Sequence, residues 1–414
     1  MQIDALDLND LGIFERRFPH PAFDALRGRA PVWWHPPSEL SPDGEGYWVV
    51  VDHAHTLEVS RDPGTYSSES GGDREGGGTL IEDLRRGVAV GTAINMTDGA
   101  THRRLRGLIS RAFTPQAIGE LESDLRARAR SILDSVGEAG ECDFVLAVAR
   151  ELPLQVIADM LGVPQQDRHE LFDWAMATLR PADAQTDMQA RMRAAGALHA
   201  YGQSLIEEKR RKPDGSMLST VIHARQDTES GESEAMSGPE LASFFSLLWS
   251  AGSDTTWNAI AGSLLALIDR PDAAEELRGD ASLWSSAVEE FLRYVSPVTY
   301  NRRTVTRATR LAGERLEPGD KVTIWYPSAN RDVEVFRQPD RLDLSRKPNP
   351  HLAFNIGEYV CVGANLARRE LRAMLQEVLS RWTDFELTGP VRYARSNKHG
   401  GIESVPIRFR RIAD

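Results

Sequence analysis

A mainly α-helical fold with a small β region follows from three observations in this 414-residue chain. From Thr101 to about Ile268, apolar residues recur at three and four spacing almost without interruption, the period of helices with one buried face. The interruptions fall at Thr114-Pro115, Val163-Pro164, Arg180-Pro181 and Lys212-Pro213, where proline lacks the amide proton a helix needs. Runs rich in β-branched and aromatic residues are few and short: Tyr47–Val51, Lys321–Trp325 and Val405–Phe409.

Taken in order, Tyr47–Val51 reads as a strand and Asp52–Arg61 as a helix ended by Asp62-Pro63-Gly64. Residues Ser67–Gly78 hold Gly71, Gly72, Gly76, Gly77 and Gly78 among polar residues; they read as a mobile loop of the kind that gates sites, or equally as a plain surface insertion. The longest predicted helix starts near Ser237-Gly238-Pro239-Glu240 and runs to about Asp269. In its middle lies the polar stretch Ala251-Gly252-Ser253-Asp254-Thr255-Thr256. A threonine bonded back to the carbonyl four residues earlier would bend the helix and explain it without any catalysis. The functional reading is that Ala251 and Thr255 share a face, that Ala251 and Gly252 leave room beside the helix, and that Asp254 and Thr255 move protons. The chain shows no internal repeat and no low-complexity tract.

Composition excludes several classes. A formal net charge of −12 argues against nucleic acid or an anionic membrane as the main partner. Arg103, Arg104 and Arg106, and Arg368 with Arg369, form local basic groups that are more often solvated helix faces than docking sites. The acidic start, Met1-Gln-Ile-Asp-Ala-Leu-Asp, lacks the order of a signal peptide. No apolar run approaches the roughly 20 residues that span a bilayer, so no membrane anchor is expected. With only Cys142 and Cys361, no disulfide framework is available, and a cytoplasmic location is expected.

Cys361 is the residue that points to chemistry. It lies in Phe354-Asn-Ile-Gly357-Glu-Tyr359-Val-Cys361-Val-Gly363, just before the helix-forming run Ala364-Asn-Leu-Ala-Arg-Arg-Glu-Leu. Helix N-terminal amides favour a thiolate, and Gly357 and Gly363 let backbone approach a flat group. Alone, Cys361 would be a small buried apolar residue. The FxxGxxxCxG spacing, however, resembles the cysteine-ligand loop of the cytochrome P450 family, the haem-thiolate monooxygenases. Ala251–Thr256 resembles that family's distal-helix motif, and Glu290-Phe-Leu-Arg293 its ExxR helix. The order of the three elements is also the family's, and the resemblance extends from about Tyr47 to Phe409.

The resemblance implies a single cytochrome P450 domain over residues 1–414, with haem b between the long distal helix and the cysteine loop. Cys361 would be the iron ligand, and Phe354, Gly357, Tyr359 and Gly363 of the same loop would be haem-binding residues beside it. Asp254 and Thr255 would be the acid and alcohol that deliver protons to dioxygen. His102 and Arg106, in a stretch resembling the family's HxxxR helix, would meet one haem propionate and Arg303 the other. Glu290 and Arg293 would form a buried structural pair closed by Arg341. Two positions depart from the family pattern: Tyr359 stands where His or Arg is common, and Asn355 where glycine is common.

By the same resemblance, Ile94, Leu247, Leu248, Ala251, Gly252, Val298, Thr299 and Ile402 would line the substrate pocket. Nearly all are apolar and none is a cationic anchor, so a neutral hydrophobic substrate, a terpenoid, steroid or other lipid, is expected. Electrons would come from NAD(P)H through a ferredoxin and ferredoxin reductase or their equivalent. A member that couples rings or carbons in secondary metabolism would share these motifs, and a haem-thiolate sensor or carrier would need neither relay nor electron donor. A peroxide-driven member would usually lack the Asp254 and Thr255 pair.

Overall fold

The computed structural model describes residues 6–412 apart from 88, 138–139, 180–184 and 228–232, so the break expected at Arg180-Pro181 lies outside the described residues. Six helices frame the centre: α1 (Gly99–Ser110), α2 (Glu151–Leu161), α3 (Met188–Arg211), α4 (Gly238–Asp269), α5 (Trp284–Val295) and α6 (Ala364–Arg381). The long α4 starts where the sequence predicts. Ser237 accepts from the Glu240 amide at 3.4 Å while the Glu240 carboxylate accepts from the Ser237 amide at 2.7 Å. This reciprocal cap supplies two amides that the first turn cannot pair internally.

Helix α4 is apolar on nearly every side, as a helix buried among others must be. Phe245, Trp249, Ile260, Leu264 and Leu267 are fully or almost fully buried in the main core, and α2, α3, α5 and α6 all pack against it. At roughly 25 cal/mol per Å² of apolar surface removed from water, these side chains stabilise the centre by about 1.5–3 kcal/mol each.

The β region is peripheral. Strands β1 (Val32–His35), β2 (Tyr47–Val50), β3 (Tyr66–Ser67), β4 (Tyr300–Val305) and β5 (Lys321–Trp325) form one sheet in the order β1-β2-β5-β4-β3. β5 runs parallel to β2 and antiparallel to β4, with Val322 opposite Arg303. A second sheet places Pro406–Arg411 between Trp382–Leu387 and Glu141–Asp143. The glycine-rich stretch after β3 is closely packed. A Cβ at Gly77 would lie 1.8 Å from the Glu69 carbonyl, and one at Gly71 would lie 2.5 Å from that of Val305, so these glycines permit close backbone approach. None of the described helices is long and apolar enough to cross a membrane.

The ExxR pair is fully buried, and the structure corrects its third member. Arg293 donates Nε and Nη2 to the two Glu290 oxygens at 2.8 Å each. The arginine that reaches Glu290 is Arg346, whose Nε donates to Oε2 at 3.0 Å. Arg341 is exposed and contributes only its carbonyl, which accepts from Arg293 at 3.4 Å and from Arg346 at 3.2 Å. A turn in which the Arg346 amide donates to the Asp343 carbonyl at 3.0 Å lies between the two arginines. It carries Arg346 back toward α5.

Candidate active site

The cysteine loop is a tight hairpin. The Cys361 amide donates to the Phe354 carbonyl at 2.9 Å, and α6 begins three residues later. Asn355 has φ +56° and Gly357 φ +69°. Asparagine is among the few residues with a side chain that visit this left-handed region, which is why it can replace a glycine here. A Cβ at Gly357 would sit 3.1 Å from the Ser60 carbonyl.

Cys361 is exposed to solvent, yet protein packed around its sulfur desolvates it. Burial therefore pushes its thiol up, opposed by the Gly363 amide and by the charges of Arg106 and Arg368. An iron bound to this sulfur would hold it as thiolate outright. Among the described residues no group of three or more His, Cys, Asp and Glu side chains could hold a metal. An iron at Cys361 thus fits only with its remaining donors supplied from outside the chain, as a porphyrin supplies four nitrogens.

Nitrogen donors gather beside this loop. His102 Nε2 lies 3.2 Å from the Glu358 carbonyl and Nδ1 lies 2.9 Å from that of Ile94, and a neutral ring can donate at only one of them. Arg106 Nη1 donates to the Val360 carbonyl at 2.6 Å. Arg303 is buried on β4 with its guanidinium 4.9 Å above the Tyr359 ring; its Nε has no partner among the described residues. An orphaned cationic N–H is costly unless an acceptor is bound beside it. Together with the nearby His102 and Arg106, it fits the carboxylates of haem.

Tyr359 adds no charge to this group. Its hydroxyl donates to the Asp98 carboxylate, which also accepts from the Ser67 hydroxyl and from the amides of Ser68 at 3.0 Å and Glu69 at 3.3 Å. Burial and the neighbouring Asp98 both push the phenol up, so it stays protonated as a donor. Asp98 stands at the N-cap position of α1 but does not cap it; it ties the glycine-rich stretch, α1 and the cysteine loop together. Sequence reasoning missed this residue because its partners lie 29–31 and 261 positions away.

On α4, Ala251 is exposed, Thr255 is half-buried and Asp254 is buried. The Thr255 hydroxyl donates to the Ala251 carbonyl at 2.8 Å, the back-bond that locally competes with the helical pattern. Asp254 Oδ1 accepts from Asn258 at 3.1 Å, while Oδ2 lies 3.2 Å from His399 Nδ1. His399 comes from the loop before Ile402 and carried no motif by which sequence could find it.

The expected pocket residues divide. Leu247 packs against Val90, Ala93 and Met96, in the segment leading to Ile94 and α1. Ile94, Leu248 and Val298 are partly buried; Thr299 and Ile402 are buried. Gly252 is half-buried, and a Cβ there would meet Ile157 of α2 at 3.1 Å, so its bareness also serves the close crossing of two helices.

Comparison with known proteins agrees with this geometry. Residues 151–392 match the family model described as Cytochrome P450. The chain is 45% identical over 411 residues to cytochrome P450 126 of Mycobacterium tuberculosis, covering 99% of this chain and 98% of that one. It is 36% identical over 400 residues to a methyl-branched lipid omega-hydroxylase of the same organism, covering 94% of this chain and 90% of the relative. A Mycobacterium marinum cytochrome P450 solved in complex with pseudoionone superposes with a TM-score of 0.87 at 33% identity, covering 98% of each chain.

Proposed function

The chain belongs to the cytochrome P450 family, and we propose that, as a monooxygenase of that family, it hydroxylates a neutral, hydrophobic, lipid-like molecule such as a terpenoid, a steroid or a branched lipid. The observation that carries the substrate class is the apolar group of Leu247 on α4 with Val90, Ala93 and Met96. The relatives that act on a methyl-branched lipid or bind pseudoionone support the same class.

The proposed roles follow from positions. Cys361 would ligate the iron of haem b, and the Gly363 amide with Arg106 and Arg368 would favour its charged form. Arg303, His102 and Arg106 would hold the propionates. When bound, the haem supplies dioxygen binding and O–O cleavage, which thiolate donation favours. Thr255 would hold a proton at Oγ1 beside the oxygen site, and Asp254 would resupply it. Glu290, Arg293 and Arg346 would keep the segment before the cysteine loop in place. Electrons would arrive from NAD(P)H through a ferredoxin and its reductase in the cytoplasm.

The test is turnover with surrogate ferredoxin and reductase over a panel of branched lipids, steroids and terpenoids under isotopically labelled dioxygen. Product carrying one labelled oxygen is expected from at least one class. Haem-loaded protein that binds these molecules without consuming NADPH would instead be a carrier or sensor.

A further inference from the structure

Asp254 is buried, with its carboxylate against Asn258 and His399. Behind the helix, Asp254, Trp257 and Met176 wall a narrow cavity of ≈ 20 Å³ with Ala394, Ser396, His399, Gly401 and Glu403. That is room for one water, and three of these residues besides Asp254 can hydrogen-bond to it. Glu403, on the same wall, is half-buried, so part of it meets solvent.

His399 is held there by bonds that do not use its ring. Its amide and that of Lys398 donate to the Ser396 hydroxyl at 3.3 and 3.2 Å. The Gly400 amide donates to the Pro297 carbonyl at 2.8 Å, and the Thr299 amide to that of Lys398 at 3.0 Å. Lys398 Nζ is buried and donates to the carbonyls of Thr79 and Tyr300 and to Asn301 Oδ1, at 2.9, 2.8 and 2.7 Å. Asn258 joins the two sides, donating to Asp254 at 3.1 Å and accepting from the Ile402 amide at 2.6 Å. The loop is thus pinned independently of the imidazole, leaving the ring free to serve Asp254.

We propose that His399 is a positioning residue for Asp254: it holds the carboxyl group against a one-water cavity behind α4, so that each proton Asp254 gives up toward Thr255 is replaced from that water. This rests on the oxygenase reading above. The step is balanced in protons alone. Asp254 becomes carboxylate as it gives up its proton, the water returns one to it, and solvent beside Glu403 returns one to the water. Burial and then the charge of Lys398 hold the His399 ring down to about 3, so it meets Asp254 as a neutral Nδ1–H group and leaves the carboxyl free to cycle between its two forms.

The test compares His399→Asn, whose side-chain amide can take the place of Nδ1, with His399→Leu, which removes the donor. Infrared difference spectra of the haem-loaded protein against Asp254→Asn isolate the Asp254 carboxyl band. That band should shift in His399→Leu and stay in place in His399→Asn. With an accepted substrate, the ratio of hydroxylated product to peroxide should fall roughly tenfold in His399→Leu, the scale of one lost bond to a charged acceptor. It should stay within about twofold of wild type in His399→Asn. A crystal structure of the haem-loaded protein should show a water touching Asp254 in this cavity. A dry cavity, an unmoved band in His399→Leu, or an Asn variant as impaired as the Leu variant would overturn the proposal. If wild type hydroxylates while His399→Leu stays coupled, this inference alone fails; if wild type gives no oxygenated product, the oxygenase reading fails with it.

Discussion

Replacing Arg346 by alanine should damage the protein far more than replacing Arg341, although the two stand five positions apart. Arg346 is buried; its Nε donates to Glu290 at 3.0 Å, Nη1 to the Arg337 carbonyl at 2.9 Å and Nη2 to the Arg341 carbonyl at 3.2 Å. Glu290 would keep both bonds from Arg293, the Asp343 amide at 2.8 Å and Asn349 at 3.2 Å. Its charge would not be stranded, and the loss falls short of the about 3–5 kcal/mol for breaking a buried pair outright. One bond to a charged acceptor contributes about 1.5–3 kcal/mol, and three carbonyls, those of Arg337, Gln338 and Arg341, lose a donor, so about 3 kcal/mol is expected in total. For a chain of this size each kcal/mol moves the thermal midpoint by about 1 °C, giving a fall of about 3 °C. The exposed Arg341 side chain should cost under about 0.5 kcal/mol. The assay is the unfolding midpoint of the haem-loaded variants at one fixed scan rate, with Soret absorbance reporting haem retention. Equal losses in the two variants, or a larger loss in Arg341→Ala, would refute the assignment.

Thr255→Ala should bind haem and substrate as wild type does but divert NADPH electrons to peroxide; undisturbed coupling would mean that the Ala251 back-bond is the threonine's whole role. Tyr359→Phe should lower the unfolding midpoint by about 1–2 °C by removing one donor from Asp98, with haem content unchanged; haem loss would show that the hydroxyl serves the cofactor instead. Glu289 gives a pH dependence. Burial would raise its carboxyl, but bonds from His351 at 3.0 Å and from Arg368 at 2.7 and 2.9 Å outweigh that and hold it down to about 2. Because the folded value lies below the ordinary 4.5, its stabilisation is present above about pH 4.5 and lost as pH falls toward 2. Glu289→Gln should therefore be less stable than wild type at pH 6, with the gap closing through that window. A gap that persists at pH 2.5 would contradict the ion-pair reading.

What was legible in the sequence was local. Ser237 and Glu240 are three apart, so the start of α4 could be read from the cap, and Asp52 caps the helix His53–Arg61 in the same way. The cysteine hairpin is local too, since Phe354 and Cys361 are seven positions apart. What was not legible was decided by distant segments. Arg341 and Arg346 are equivalent by composition, and the Asp343–Arg346 turn between them sets which one meets Glu290. That Gly252 also lets α4 approach Ile157 could not be read, because Ile157 lies in another helix. His399 and Asp98 carry no periodic or spacing signal. Their roles come from contacts across 145 positions to Asp254 and 261 to Tyr359, and chain folding alone brings them there.

The central claim is that Cys361 binds haem iron as a thiolate, and the most direct measurement is the absorbance difference spectrum of the reduced protein with carbon monoxide, on wild type and Cys361→Ser. Wild type should give a Soret band at about 450 nm, the marker of thiolate ligation in the family, and the serine variant should lack it. A wild-type band at clearly shorter wavelength, or one that survives in Cys361→Ser, would contradict the claim.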